Sequence, residues 1–250
     1  MLRVSDLALS YGTTPVLEGV GMEVEDGEFV ALVGPSGSGK STILRAVIGL
    51  QEPSAGKVEL TVDKRKVGFL FQDDALLPWR RAAENVALGL RLRGMATNDA
   101  LKRAEEWLGH LGLHGLGHRY PRELSGGQRK RVALAQVLAL EPQLLLMDEP
   151  FSALDAITRA RLSQDLLRLV EERHMSVLLV THDLEEALAL SDMVYLLSRG
   201  PKARIAGQYP VPIPRPRDII KARTHPEFGP LLERIWQNLS REVVGEPGKD

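Results

Sequence analysis

The segment Gly34-Pro35-Ser36-Gly37-Ser38-Gly39-Lys40-Ser41 constrains this chain more than any other stretch of it. It closes a strand-like apolar run, 29–33, and opens a helix-like run, 42–50, beginning at Thr42. Strand, glycine-rich loop and helix in that order form the context that a phosphate-binding loop requires. The glycines let the backbone wrap an anion without Cβ clashes, successive N–H groups point inward, and the helix offers its positive dipole end. In such a loop Lys40 reaches the β- and γ-phosphates of a nucleoside triphosphate, and the Ser41 hydroxyl ligates Mg²⁺. Taken alone, the loop also admits a blander reading, a chance match in a glycine-rich turn.

At 250 residues the chain can bury the core of one large or two small domains. Its acids and bases nearly cancel, to a net charge of −1, and are spread along the whole length, so no basic footprint for nucleic acid is visible. The absence of cysteine excludes disulfides and thiolate metal sites and suits a reducing compartment. Leu2, Val4, Leu7 and Leu9 alternate around Arg3 and Asp6, which predicts a strand and not the apolar region of a signal peptide. The apolar runs 144–147 and 177–180 are far shorter than a membrane span. A soluble chain is expected, whose partner need not be.

The alternation of Val20, Met22 and Val24 predicts a half-buried strand, and 57–62 and 67–71 predict two short strands around the charged turn 63–66. From about 82 to 139 the pattern switches to helical periodicity, punctuated by Gly94, Gly112, Gly115, Gly117 and Pro121. Strand and helix then alternate: strand 144–147, helix 156–173, strand 176–180, helix 184–190, strand 194–197. This predicts an α/β fold, a phosphate-loop NTPase core with a parallel sheet flanked by helices, an antiparallel β-subdomain, and an inserted α-helical subdomain. The core is expected at about 1–75 and 142–215, the helical subdomain at about 76–141, and a C-terminal extension at 216–250. Pro210, Pro212, Pro214 and Pro216 make an extended, linker-like stretch, and 228–244 has the spacing of one short amphipathic helix.

A second element suited to phosphate chemistry is Leu144-Leu145-Leu146-Met147-Asp148-Glu149. An apolar strand here delivers two adjacent acids to its carboxyl end, where ligands sit in open α/β sheets. Asp148 suits a hard cation, and Glu149 suits a general base that polarises the attacking water. On its own, the pair could equally cap the next helix.

Leu124-Ser125-Gly126-Gly127-Gln128, set just before a helical run from Arg129 to Leu140, resembles the signature of the ATP-binding-cassette (ABC) ATPases. The other elements of that family follow in order: Tyr11, the loop 34–41, Gln72, the pair Asp148-Glu149, Ser152-Ala153-Leu154-Asp155, and Thr181-His182-Asp183. The likeness extends to about residue 200. It implies ATP and Mg²⁺ as cofactors, with Gly34, Pro35, Ser36, Gly37, Ser38, Gly39, Lys40, Ser41 and Thr42 around the phosphates. Tyr11 resembles the aromatic that stacks on adenine, although by itself a lone tyrosine near a glycine turn is as well read as a surface residue. Ser41, Gln72 and Asp148 look like the metal set, and Glu149, Lys40, His182 and Gln72 the catalytic one. Asp155 resembles the acid that communicates across the dimer, and is also a good helix N-cap. The resemblance further implies a head-to-tail homodimer, in which Ser125, Gly126, Gly127 and Gln128 of one subunit face the nucleotide on the other. A Ser followed by two glycines at a helix start does offer a hydroxyl and unhindered N–H donors to a phosphate.

Two stretches, 71–80 with Glu84-Asn85-Val86, and Pro214-Arg215-Pro216-Arg217-Asp218, are similar to importers of nitrate, alkanesulfonate and taurine. They imply a peripheral subunit on the cytoplasmic face of the cell membrane, energising two permease subunits and served indirectly by a solute-binding protein, with no nucleic acid as partner. Trp79 and its apolar neighbours would line a groove for a permease helix, or else pack the insert's core. The turn 62–67 is shorter than the corresponding hairpin of those importers, and Gln136 stands where they carry Arg. The competing reading is a non-transport ABC ATPase acting on nucleic acid or ribosomes, which lacks support in any coiled coil or strongly basic segment of this chain.

Overall fold

The computed structural model describes residues 1–152 and 154–244. Ala153 in the loop after the acid pair, and 245–250 at the end of the expected extension, lie outside the described residues. The strands sort into two sheets. β1 (Leu2–Tyr11), β2 (Thr14–Val24) and β4 (Ala55–Leu60) form an antiparallel sheet in the order β2-β1-β4. A six-stranded sheet runs β5 (Val67–Leu70), β6 (Leu144–Asp148), β7 (Ser176–Val180), β3 (Phe29–Val33), β8 (Met193–Leu197), β9 (Ile205–Pro210). All its pairs are parallel except β8 with β9.

Every residue of β3, β6 and β7 is buried, as expected of near-continuous Val/Leu runs in a sheet covered on both faces. The two-residue strand period divides them between two cores. Phe29, Ala31, Leu145, Met147 and Leu179 face one cluster, whereas Val30, Leu32, Leu146, Leu178 and Val180 face the other. The second cluster is closed by α1 (Lys40–Val47) and the antiparallel sheet. The first is closed by α2 (Ala82–Leu92), α3 (Thr97–His110), α4 (Gly126–Leu138), α5 (Ala156–Arg173), α6 (Leu184–Leu190), and the tail helices α7 (Ile219–Ala222) and α8 (Phe228–Val244). Among the described residues no helix is long and apolar enough to cross a membrane.

Several details differ from the expectation. The strands on either side of the charged turn do not pair. One joins the antiparallel sheet and the other the parallel sheet, and 64–66 form a 3₁₀ turn between them. The signature helix starts at Gly126, three residues before the expected Arg129, because Ser125 caps it. Strand β9 precedes the proline stretch, and that stretch is no free linker. Val211 and Ile213 are buried between the exposed prolines 210, 212 and 214, the alternation of an extended segment lying on the core. Arg217 is buried as well, donating to the carbonyls of Ile213, Leu190 and Ser191 and pairing with Asp192 at 2.9 Å. It thereby satisfies the open C-terminal carbonyls of α6.

Candidate functional site

Parallel pairing puts the carboxyl ends of β3, β6 and β7 along one edge of the sheet, which is where this topology binds ligands. The glycine-rich loop leaves β3, the acid pair ends β6, and Thr181-His182 follow β7. Gly39 is the N-cap of α1 with φ 99°, and no side chain occupies the cap, so the helix's first N–H groups stay open to an anion. Only glycine fits there. A Cβ would meet Leu17 Cδ2 at 2.8 Å and Val16 Cγ1 at 2.9 Å.

Lys40 is buried and folds back on its own loop, donating to the Gly34 carbonyl at 2.9 Å and the Pro35 carbonyl at 2.8 Å. Burial lowers its pKa, opposed by the charges of Glu149 and Asp148. The Ser41 hydroxyl donates to Asp148 Oδ1 at 2.9 Å across 107 residues of sequence. Burial raises the Asp148 pKa, the Ser41 hydrogen bond opposes it, and the neighbouring Glu149 charge adds to it. In the loop itself the buried Ser38 hydroxyl has no hydrogen-bond partner among the described residues. A hydroxyl left so is costly unless a ligand atom completes it, and a phosphate oxygen is the acceptor this loop is shaped to receive.

Glu149 follows Asp148 in the left-handed region, φ 45°, with its N–H bonded to the Val180 carbonyl at 2.9 Å. That turn brings its carboxylate to His182, Oε2 to Nδ1 at 3.2 Å. Asp183 caps α6 through the Glu186 N–H and pairs with Arg159 of α5 at 3.1 Å. Asp155 caps α5 by accepting from the Thr158 N–H at 3.0 Å. At the other end of the loop the Tyr11 hydroxyl lies 3.5 Å from Thr42 Oγ1, and 45% of the tyrosine is exposed.

The structure thus gathers Tyr11, 34–42, Asp148, Glu149 and His182 at one edge. It does not bring Ser125–Gln128 there. The Ser125 hydroxyl accepts from the Gln128 N–H, the Gln128 side chain accepts from the Ser125 N–H, and no hydrogen bond among the described residues joins 125–128 to 34–42. Gln72 is exposed, and its backbone carbonyl accepts from Lys130 of α4. Lys130 and Arg129 also pair with Asp74, at 3.3 Å and 3.2 Å. These pairs lock the segment after β5 onto the signature helix, and sequence reading passed over them. They join positions more than fifty residues apart, and no local pattern marks them. Trp79 is 71% exposed, which removes it from the insert's core, whereas Leu76 packs against that core in part.

The profile of the ABC transporter family matches residues 17–152. The aliphatic sulfonates import ATP-binding protein SsuB 2 of Mesorhizobium japonicum is 46% identical over 245 residues, covering 97% of this chain and 93% of that one. The sulfate/thiosulfate import ATP-binding protein CysA of Nocardia farcinica is 46% identical over 208 residues, covering 80% of this chain and 63% of that one. Among solved structures, the dimeric post-hydrolysis state of the ATP-binding cassette MJ0796 with ADP and Pi superposes with a TM-score of 0.77 at 33% identity. It covers 84% of this chain and 99% of the other.

Proposed function

We propose, for a chain that belongs to the ABC transporter family, that its hydrolysis of ATP drives import of a small sulfonate-like solute through separate permease subunits. The observation that carries this reading is the Ser41–Asp148 hydrogen bond, which joins the phosphate loop to the strand-end acids at one point. The two atoms it joins are oxygens, one of a hydroxyl and one of a carboxylate, and as metal ligands that set fits Mg²⁺. Bound there with ATP, Mg²⁺ supplies neutralisation of the charge on the phosphate oxygens.

The chain's own residues do the rest. Lys40 exchanges its two loop carbonyls for the β- and γ-phosphates, and the N–H groups opening α1 hold the same oxygens. Tyr11 offers a flat face to adenine at the loop's exit. Glu149 accepts the proton of the attacking water, while His182 fixes the carboxylate's orientation. Gln72, on a segment tied to α4 by Lys130 and Asp74, reports site occupancy to the helical subdomain. Because Ser125–Gln128 sit apart from the loop of their own chain, they serve a second copy in a head-to-tail homodimer. The ATPase domain is 1–215, with its core at 1–75 and 142–215, its helical subdomain at 76–141, and an extension at 216–250.

The helical subdomain presents Trp79, Leu92 and Met95 to solvent, with Leu92 80% exposed, beside a groove of about 410 Å³. A permease helix laid in that groove covers apolar surface that is otherwise left in water. The subunit then works peripherally on the cytoplasmic face of the membrane, served indirectly by a solute-binding protein. Purification of the tagged chain from solubilised membranes tests this. Two membrane-embedded subunits should accompany it, and recovery with ribosomes or nucleic acid instead would overturn the importer assignment.

A further inference from the structure

One cavity is lined by no residue of the phosphate loop. About 810 Å³ lies between α5, α6 and the tail helices α7 and α8, the size of a small-molecule site. Its walls are largely aliphatic and aromatic, with Leu184, Leu190, Ile219, Leu232 and the 60% exposed Trp236 among them. The charged groups facing it are Arg159 from α5, His182, Asp183, Glu185 and Glu186 around the start of α6, Arg223 after α7, and Glu233 from α8.

Most of these are already engaged. Arg159 pairs with Asp183 at 3.1 Å and donates to the Leu154 carbonyl, Arg223 pairs with Glu185 at 3.4 Å, and His182 pairs with Glu149. Glu233 accepts from the Gln237 amide at 3.3 Å. Glu186 differs. Only 8% of it is exposed, it lines the cavity, and it makes no ion pair among the described residues. Burial pushes its carboxyl up to about 7, with a hydrogen bond from Thr181 and the charges of Arg159 and His182 opposing and that of Asp183 adding. A carboxyl so placed is expensive to ionise in an empty cavity and gains most from a cation brought in with low hydration.

We propose that this cavity is a binding site for a small organic monocation with an apolar or aromatic body, its ammonium against Glu186 and its body against the aliphatic wall and Trp236. A bare inorganic cation gains nothing from that wall, and an anionic ligand must break an existing arginine pair to find a partner. His182 is shared with the nucleotide site, whereas Glu186 and Trp236, on which the assignment rests, have no nucleotide role.

Three probes with one body and different charge test it: 2-phenylethylammonium, 2-phenylethanol and 3-phenylpropionate, titrated calorimetrically into the full chain without nucleotide. The ammonium should saturate and bind at least about tenfold more tightly than the alcohol, and the carboxylate more weakly still. Glu186→Gln should bring the ammonium down to the level of the alcohol. Trp236→Ala, at an exposed position, should weaken both ammonium and alcohol by loss of aromatic contact, so the test survives a poorly folding Glu186 variant. Equal affinity for ammonium and alcohol, preference for the carboxylate, or no saturable binding of the ammonium would each overturn the proposal.

Discussion

Glu149 Oε2 and His182 Nδ1 meet at 3.2 Å across the ends of the adjacent parallel strands β6 and β7. The two side chains differ in setting. The glutamate side chain is 21% exposed and the histidine 58%, so the histidine reaches the carboxylate from the open side of the site. The contact depends on the left-handed turn at Glu149, since an extended backbone there would carry the side chain past the site.

Replacing Glu149 by Gln keeps the shape of that side chain and removes the proposed base. Steady-state ATP turnover should fall by at least about a hundredfold while Mg·ATP affinity is retained. Sedimentation in Mg·ATP should find the variant as a dimer. A monomer at nucleotide saturation would contradict the head-to-tail arrangement.

Lys40→Ala removes the cation that donates to the Gly34 and Pro35 carbonyls and that the proposed function carries to the phosphates. Loss of a charge-assisted contact predicts Mg·ATP binding weaker by about ten- to a hundredfold and turnover at background. Nucleotide titration of the variant checks this, and an unchanged affinity would remove Lys40 from the site.

The separation of Ser125–Gln128 from the phosphate loop calls for a mixed dimer. One subunit carries Lys40→Ala and the other Ser125→Arg, which puts bulk and charge at the α4 N-cap. Shared sites place both lesions in one composite site and leave the other whole. One normally bound nucleotide per heterodimer is therefore expected under non-hydrolysing conditions, against two weakened sites if each chain builds its own.

Trp79→Ala should leave stability within about 0.5 kcal/mol, because the side chain is 71% exposed. In a reconstituted complex, transport should drop more than the isolated subunit's hydrolysis does. Equal loss of both would mean that Trp79 serves the subunit itself.

Glu186 sets a pH dependence. Its folded pKa, about 7, lies above the ordinary 4.5, so the folded state holds its proton more tightly than the unfolded one. Its contribution is therefore full below 4.5 and is lost as pH rises through about 7. Glu186→Gln should thus be the more stable protein at about pH 8, by up to about 3 kcal/mol, with the gap closing toward about pH 5. Urea melts of both proteins across that range measure it, and parallel pH profiles would be the contrary result.

The parallel strands and the loop are legible in the sequence because their signals are local. Unbroken Val/Leu runs mark strands buried on both faces, and three closely spaced glycines before Lys40 and Ser41 mark the anion cradle. Strand β9 is hidden because it is an edge strand carrying Gly207, Gln208 and Pro210, residues that read as a turn until β8 pairs with them. Arg217 reads as one more surface base in a proline stretch, since its partners Leu190, Ser191 and Asp192 lie about a quarter of a hundred positions upstream. Glu186 looks like an ordinary helix-surface acid. It shares a cavity with residues of α8, which the folded chain brings there from more than forty positions downstream.

The tail has a consequence in time. Phe228, Leu231 and Ile235 belong to the same core cluster as Phe29 and Leu145. These pieces therefore leave the ribosome after every strand of the sheet they cover. At about 5–20 residues per second, the interval between synthesis of β3 and of α8 is on the order of ten seconds or more, during which the sheet's helical face lacks its final cover. A nascent chain in that condition exposes Leu- and Val-rich surface, and its yield in a cell depends on what shields that surface until α8 emerges.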